Sequence, residues 1–270
     1  MREKELSPIG VFDSGVGGLT VVRELEAQLT YEDYIYYADT AHVPYGSREP
    51  WELKGFALSI TAFLVEQGCK MIIIACNTST SLAYADLASR CPVPFIGVIE
   101  PGVNEAIKVS KNGKIGVVGT LATVNSGVYQ KMIKEKNPRT EVVAVPCPRF
   151  VPLVEEGRVE GSEVEEIAGI YLKPLQERGV DTLILGCTHY PFLRPVIERI
   201  MGEGVNIIDP ARETVRRAAI SLQNLGLVNP IETKKSPLFY ASGDPENFRK
   251  KGSSFLGRDL GPVKCIGEGR

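Results

Sequence analysis

The sequence predicts an α/β protein of two similar lobes, each a largely parallel sheet flanked by helices, related by a pseudo-twofold axis with a cleft between them. Two observations carry that prediction. Short β-branched runs end in Gly, Ser, Thr or Asn and are followed by helix-length amphipathic segments, the alternation of an α/β chain. The pattern also occurs twice. Ile9-Gly-Val-Phe-Asp-Ser-Gly resembles Ile115-Gly-Val-Val-Gly-Thr, and Met71-Ile-Ile-Ile-Ala-Cys-Asn-Thr resembles Thr182-Leu-Ile-Leu-Gly-Cys-Thr-His. The two pairs are separated by nearly the same length of chain, as a duplicated half with one small insertion would be. Chance likeness among buried parallel strands is the alternative.

In chain order, strands are predicted at residues 9–12, 34–38, 71–75, 95–98, 115–118, 142–145, 182–185 and 206–208. Several are apolar throughout, as strands covered on both faces are. Between them, apolar positions recur at helical spacing over residues 19–28, 50–67, 79–88, 126–134, 162–177 and 194–201. No low-complexity linker interrupts the series.

Composition narrows the function classes. The chain has 270 residues, 43% of them apolar, enough for real cores and against disorder or a collagen-like repeat. Lys and Arg total 31 against 33 Asp and Glu, so there is no electrostatic footprint for nucleic acid or anionic lipid. A small-molecule partner is expected, with no nucleic acid and no membrane. Apolar runs such as residues 71–76 fall far short of the roughly 20 residues a spanning helix needs. The mixed-charge start lacks the pattern of a secretory signal, which reads as cytoplasmic. Six cysteines without paired CxxC spacing argue against a disulfide framework or zinc ribbon, so any functional cysteine is expected to be a thiol.

Ligands of open parallel sheets bind beyond the carboxyl ends of the strands. The residues there are Asp13, Ser14, Cys76, Asn77, Thr78, Thr120, Thr123, Cys187, Thr188 and His189. Cys76 and Cys187 occupy corresponding points of the two repeats, each leaving a strand and preceding a helix whose N-terminus is expected to favour the thiolate. Cys69, Cys91, Cys147 and Cys265 read as structural. If the lobes face each other through the pseudo-twofold, the two thiols reach one carbon from opposite sides. One can remove a proton while the other delivers one, which inverts the stereocentre. His189 and Asp13 are candidates to tune one thiol each, although Asp13 could equally cap the following helix. His42 lies in a loop and reads as non-catalytic.

Asp13-Ser-Gly-Val-Gly-Gly is a poor dinucleotide fingerprint, because Asp13 would face the pyrophosphate. Its glycines read as a tight turn allowing close backbone approach to a ligand. A metal site is not expected, since tetrahedral ligands usually come in short-spaced pairs. The hydroxyls and amides of Ser14, Tyr45, Asn77, Thr78, Thr120, Thr123 and Thr188, with the backbone amide of Gly46, suit a carboxylate. An amino acid fits such a site. Asp13 or Glu155 could take its ammonium group, though on spacing alone Glu155 and Glu156 read as a solvated helix start.

With these residues in place the chain resembles the glutamate racemases of the cofactor-independent aspartate/glutamate racemase superfamily. The matching segments are Gly10-Val-Phe-Asp-Ser-Gly-Val-Gly-Gly-Leu-Thr, Asp39-Thr-Ala-His-Val-Pro-Tyr-Gly, Ala75-Cys-Asn-Thr-Ser-Thr, Phe150-Val-Pro-Leu-Val-Glu, Leu185-Gly-Cys-Thr-His-Tyr-Pro and Ser242-Gly-Asp. The resemblance implies interconversion of L- and D-glutamate without pyridoxal phosphate, metal or nucleotide, supplying D-glutamate to peptidoglycan precursors. It implies that Cys76 works on the D-enantiomer and Cys187 on the L-enantiomer, with Asp13, Glu155 and His189 as accessory acid/base groups. Substrate contacts are implied at Asp13, Ser14, Tyr45, Gly46, Asn77, Thr78, Thr188 and His189, with Thr120 and Thr123 as additions. His42 stands where relatives often carry Arg, outside the catalytic pattern. A homodimer is also implied.

The two domains implied are residues 1–99 with 210–270, and residues 100–209, with Glu100-Pro101-Gly102 and Asp209-Pro210-Ala211 as crossovers because Pro and Gly punctuate there. Aspartate is the runner-up substrate, one methylene shorter. From other classes, a non-catalytic binder of dicarboxylic amino acids would have no need of two thiols, and a nucleotide-dependent oxidoreductase rests only on the imperfect Gly-rich turn.

Overall fold

In the computed structural model, which describes residues 2–233 and 237–266 with side chains from residue 4 onward, ten strands form two separate sheets. The outermost ends of the expected first domain, residues 1 and 267–270, lie outside the described residues. The strands are β1 (Ile9–Asp13), β2 (Tyr34–Ala38), β3 (Met71–Ile74), β4 (Phe95–Gly97), β5 (Lys114–Gly119), β6 (Glu141–Pro146), β7 (Thr182–Gly186), β8 (Asn206–Ile208), β9 (Leu238–Ala241) and β10 (Val263–Cys265). The first sheet runs β10-β9-β2-β1-β3-β4 and the second β6-β5-β7-β8, with every pairing parallel. The order β2-β1-β3-β4 is thus repeated as β6-β5-β7-β8. The strands noticed as similar in sequence, β1 with β5 and β3 with β7, hold equivalent places.

Both sheets are covered on both faces, which explains the unbroken apolar runs. In the first, Val11 and Ile73 face a core with Leu19, Val22 and Val215, while Phe12, Ile72 and Ile74 face another with Ala57, Ile60 and Leu64. In the second, Leu183 and Leu185 meet Phe150, Ile167 and Leu172, and Ile184 meets Val103, Tyr129 and Ile133 on the opposite side. Period-two alternation of side chains sends neighbours on one strand to different cores.

All six predicted helices are present within about two residues of the expected ends. Three further long helices were not predicted: Ile99–Val109, Pro210–Leu225 and Pro245–Leu256. The chain does pass between the sheets at the two Pro-containing segments, but these are helix starts rather than breaks. Pro101 sits in the first turn of its helix and Pro210 at the first position of its own, where the missing N–H has no intrahelical partner to lose. Asp209 caps the second, its Oδ1 accepting from the Ala211 N–H at 3.0 Å. The two crossover helices meet at Gly102, where a Cβ would lie 2.9 Å from Pro210 Cγ. Close approach, and not chain reversal, is what that glycine permits. Two short helices, Leu121–Asn125 and Phe150–Glu155, carry side chains of the second sheet toward the first.

Candidate active site

The carboxyl ends of both sheets face one cavity of about 240 Å³. A volume at or below the lower end for drug-sized pockets suits a ligand the size of an amino acid. Cys76 and Cys187 both line it, with Ser14, Tyr45, Gly46, Asn77, Thr78, Thr120, Thr188 and His189. Three residues expected at the site, Asp13, Glu155 and Thr123, are not in its lining and act on it through neighbours. Asp13 is fully buried beneath Thr188, whose Oγ1 donates to Asp13 Oδ1 at 3.1 Å. Thr123 joins Thr78 and Thr120 in a cluster of hydroxyls 3.0–3.2 Å apart, which ties the helix after β3 to the turn after β5.

The two thiols stand in different settings. Cys76 is the N-cap of helix Asn77–Ala88, and its Sγ accepts from the Ser79 N–H at 3.5 Å. The expectation that this position favours the thiolate is overturned. Burial pushes the Cys76 thiol up to about 12, the Asp13 charge adds to the rise, and the Ser79 N–H offsets only part of it. Cys187, unlike Cys76, is not at an α-helix N-terminus, because a 3₁₀ turn, Tyr190–Leu193, intervenes before helix Arg194–Met201. Its partner is His189, with Nδ1 3.8 Å from Sγ.

His189 is the centre of a relay. Its Nε2 lies 2.9 Å from Glu155 Oε1, and the other oxygen of Glu155 accepts from Lys251 Nζ at 2.9 Å. Burial works against the imidazolium, but the hydrogen bonds to Cys187 and Glu155, with the charges of Cys187 and Asp13, carry His189 up to about 10. Burial likewise opposes the Glu155 carboxylate, and His189 and Lys251 overcome it, holding Glu155 at about 2. Glu155 is therefore no solvated helix start. Asp13 behaves in the opposite way. Burial raises its carboxyl above the usual range despite attraction to His189 and bonds from Gly15, Gly18 and Thr188. It does not cap the following helix, whose N-cap is Gly18 without a side-chain bond; instead its Oδ2 accepts from the Gly15 N–H at 3.0 Å.

The Gly-rich turn after β1 approaches protein rather than phosphate. A Cβ on Gly17 would sit 2.4 Å from Thr188 Oγ1 and 2.6 Å from His189 Nδ1. Only a glycine lets this turn of the first sheet seat the Thr188-His189 pair of the second.

Several contributors were not recognised in the sequence. Tyr129, buried in the second sheet's core, donates its phenol to Asn77 Oδ1 at 2.6 Å, leaving the Asn77 amide hydrogens for the cavity. Asp39 accepts from Tyr45 Oη at 2.5 Å and from Ser242 Oγ at 2.7 Å, and contacts His42 Nδ1 at 2.8 Å. The Tyr45 hydroxyl proton is thus committed to Asp39, and His42 braces this loop by stacking on Phe56. Asp39 and Ser242 fall within segments that carried the resemblance, but nothing local signals their pairing. Cys147, read as structural, is buried in the second sheet's core and also borders the cavity; burial and the neighbouring Cys187 keep its thiol high. Among the described residues no group of three or more His, Cys, Asp or Glu side chains is placed to hold a metal ion, and no helix is long and apolar enough to cross a membrane.

Residues 9–218 match the family model of Asp/Glu/hydantoin racemases. A glutamate racemase from Geobacter metallireducens is 45% identical over 255 residues, 94% of each chain. A glutamate racemase isoform from Bacillus anthracis superposes with a TM-score of 0.93 at 38% identity, covering 96% of this chain and 97% of that one. The glutamate racemase of Francisella tularensis, solved in complex with D-glutamate, gives 0.91 at 37% identity, covering 97% and 98%. A duplicated parallel fold, two thiols on one interlobe cavity and matches along nearly the whole length agree: the chain belongs to the Asp/Glu/hydantoin racemase family.

Proposed function

We propose that the chain interconverts L- and D-glutamate by passing protons between Cα and two thiols, and that its D-glutamate feeds peptidoglycan precursors. The observation that carries this reading is that Cys76 and Cys187, from equivalent strand ends of two repeated sheets, line one cavity of amino-acid size. Its relatives act on glutamate. A cytoplasmic homodimer accords with the resemblance. Residues 1–99 with 210–270 and residues 100–209 are the domains whose opening admits substrate.

The L-enantiomer is taken at Cys187, whose Sγ has His189 Nδ1 3.8 Å away as a partner for its proton, while Cys76 keeps its proton. The Cys187 thiolate takes the Cα proton of L-glutamate from one face. Cys76 gives its thiol proton to the other face, leaving D-glutamate, a Cys187 thiol and a Cys76 thiolate. The reverse sequence consumes the D-enantiomer, and Asp13, a buried carboxyl whose charge acts on Cys76, is the acid/base group on that side. Asn77 and Thr78 offer donors for the substrate carboxylates, and the closing of the two domains would keep water from the carbanionic centre.

The test is turnover in deuterium oxide, followed by proton NMR and circular dichroism. L-Glutamate is expected to yield D-glutamate carrying solvent deuterium at Cα. Exchange of aspartate but not glutamate would reassign the substrate, and exchange of neither would refute the reaction.

A further inference from the structure

The helix Pro245–Leu256 belongs to the first sheet's core but reaches the second sheet at two points flanking His189. Phe248 stacks on Tyr36 with ring centroids 6.0 Å apart, and Gly252 packs against Leu19 and Leu260, anchoring the helix on one side. On the other, Phe255 meets Phe192 at 4.3 Å, within the 3₁₀ turn that follows His189, and Lys251 bonds Glu155. Glu155 is the last residue of a six-residue helix, and its carboxylate bonds His189 on one oxygen and Lys251 on the other. The lysine therefore sets the direction in which the carboxylate presents its lone pair.

We propose that Lys251 is a positioning residue: by fixing Glu155 across the interlobe boundary, it holds His189 in place beside Cys187 only while the two sheets are together. The catalytic meaning of this clasp rests on the racemase reading, but the clasp itself does not. The titratable groups facing Glu155 and His189 are Cys187 at the end of β7, Asp13 and Tyr36 from the first sheet, and Lys251 from the C-terminal helix. Two effects of removing the lysine oppose each other. Loss of a nearby cation alone would strengthen proton binding at His189, whereas a Glu155 that swings away would weaken it.

The chain has only two histidines, so nitrogen-15 NMR of histidine-labelled protein resolves His189 once His42 is assigned with His42→Gln. In Lys251→Met the His189 midpoint is expected to fall by about one pH unit, and kcat with L-glutamate about tenfold. Lys251→Arg should restore both, and Lys250→Met, on the exposed side of the same helix, should change neither. A midpoint in Lys251→Met that rises or stays put overturns the proposal. A falling midpoint in a protein that racemises nothing would leave the clasp standing and remove the reaction.

Discussion

Replacing Glu155 by glutamine removes one negative charge behind His189 while keeping the shape of the side chain. His189 binds its proton far more tightly in the folded protein, with its ordinary value of 6.5 carried to about 10. A displacement of that size corresponds to roughly 5 kcal/mol if fully expressed. Glu155 supplies part of it, through a charge-assisted hydrogen bond of 2.9 Å to a residue only 2% exposed. Such a bond contributes about 2 kcal/mol. The sign follows from linkage. Because the folded value is raised, this stability is fully present below 6.5 and is lost as pH rises toward 10. The lowered Glu155 adds a second window, present above 4.5 and lost as pH falls toward 2. Urea unfolding of both proteins between pH 6 and 10 measures the difference. Glu155→Gln is expected to be less stable by about 2 kcal/mol near neutrality, with the gap narrowing toward pH 10, and to racemise about 100-fold more slowly. Stability curves that run parallel across this range would show that Glu155 does not hold the His189 proton.

Cys76→Ser and Cys187→Ser should each abolish racemisation, whereas Cys91→Ser and Cys265→Ser, away from the cavity, should leave it nearly intact; equal mild losses at all four would defeat the two-thiol mechanism. Tyr129→Phe leaves Asn77 Oδ1 without its 2.6 Å donor, so KM for glutamate should rise about tenfold with a smaller change in kcat, as initial rates at varied substrate would reveal. Gly17→Ala would drive a methyl group into Thr188 and His189, and an activity loss of at least about 100-fold is expected with the far-UV circular dichroism preserved. A fully active Gly17→Ala would contradict the close packing of the two sheets at this turn.

Much of this molecule follows from local pattern. A strand covered on both faces must be apolar at every position, so β1, β3, β5 and β7 announce themselves, and their likeness foretells the repeated strand order. Polar residues directly after such strands must sit where helices cannot cover them. Cys76, Asn77, Thr78, Cys187, Thr188 and His189 could therefore be placed at one cavity before any coordinates. Tertiary structure alone decided the rest. Pro101 and Pro210 read locally as breaks, yet begin helices, because a first-turn proline loses no hydrogen bond and a neighbouring helix supplies the packing. Tyr129 with Asn77, Asp39 with Ser242 and Glu155 with Lys251 are partners 52, 203 and 96 residues apart. No spacing rule relates such pairs; they meet only where separate elements of the fold converge. The same holds for the charge states. A helix N-terminus stabilises a thiolate in water-accessible surroundings, but at Cys76 burial outweighs it and raises the thiol.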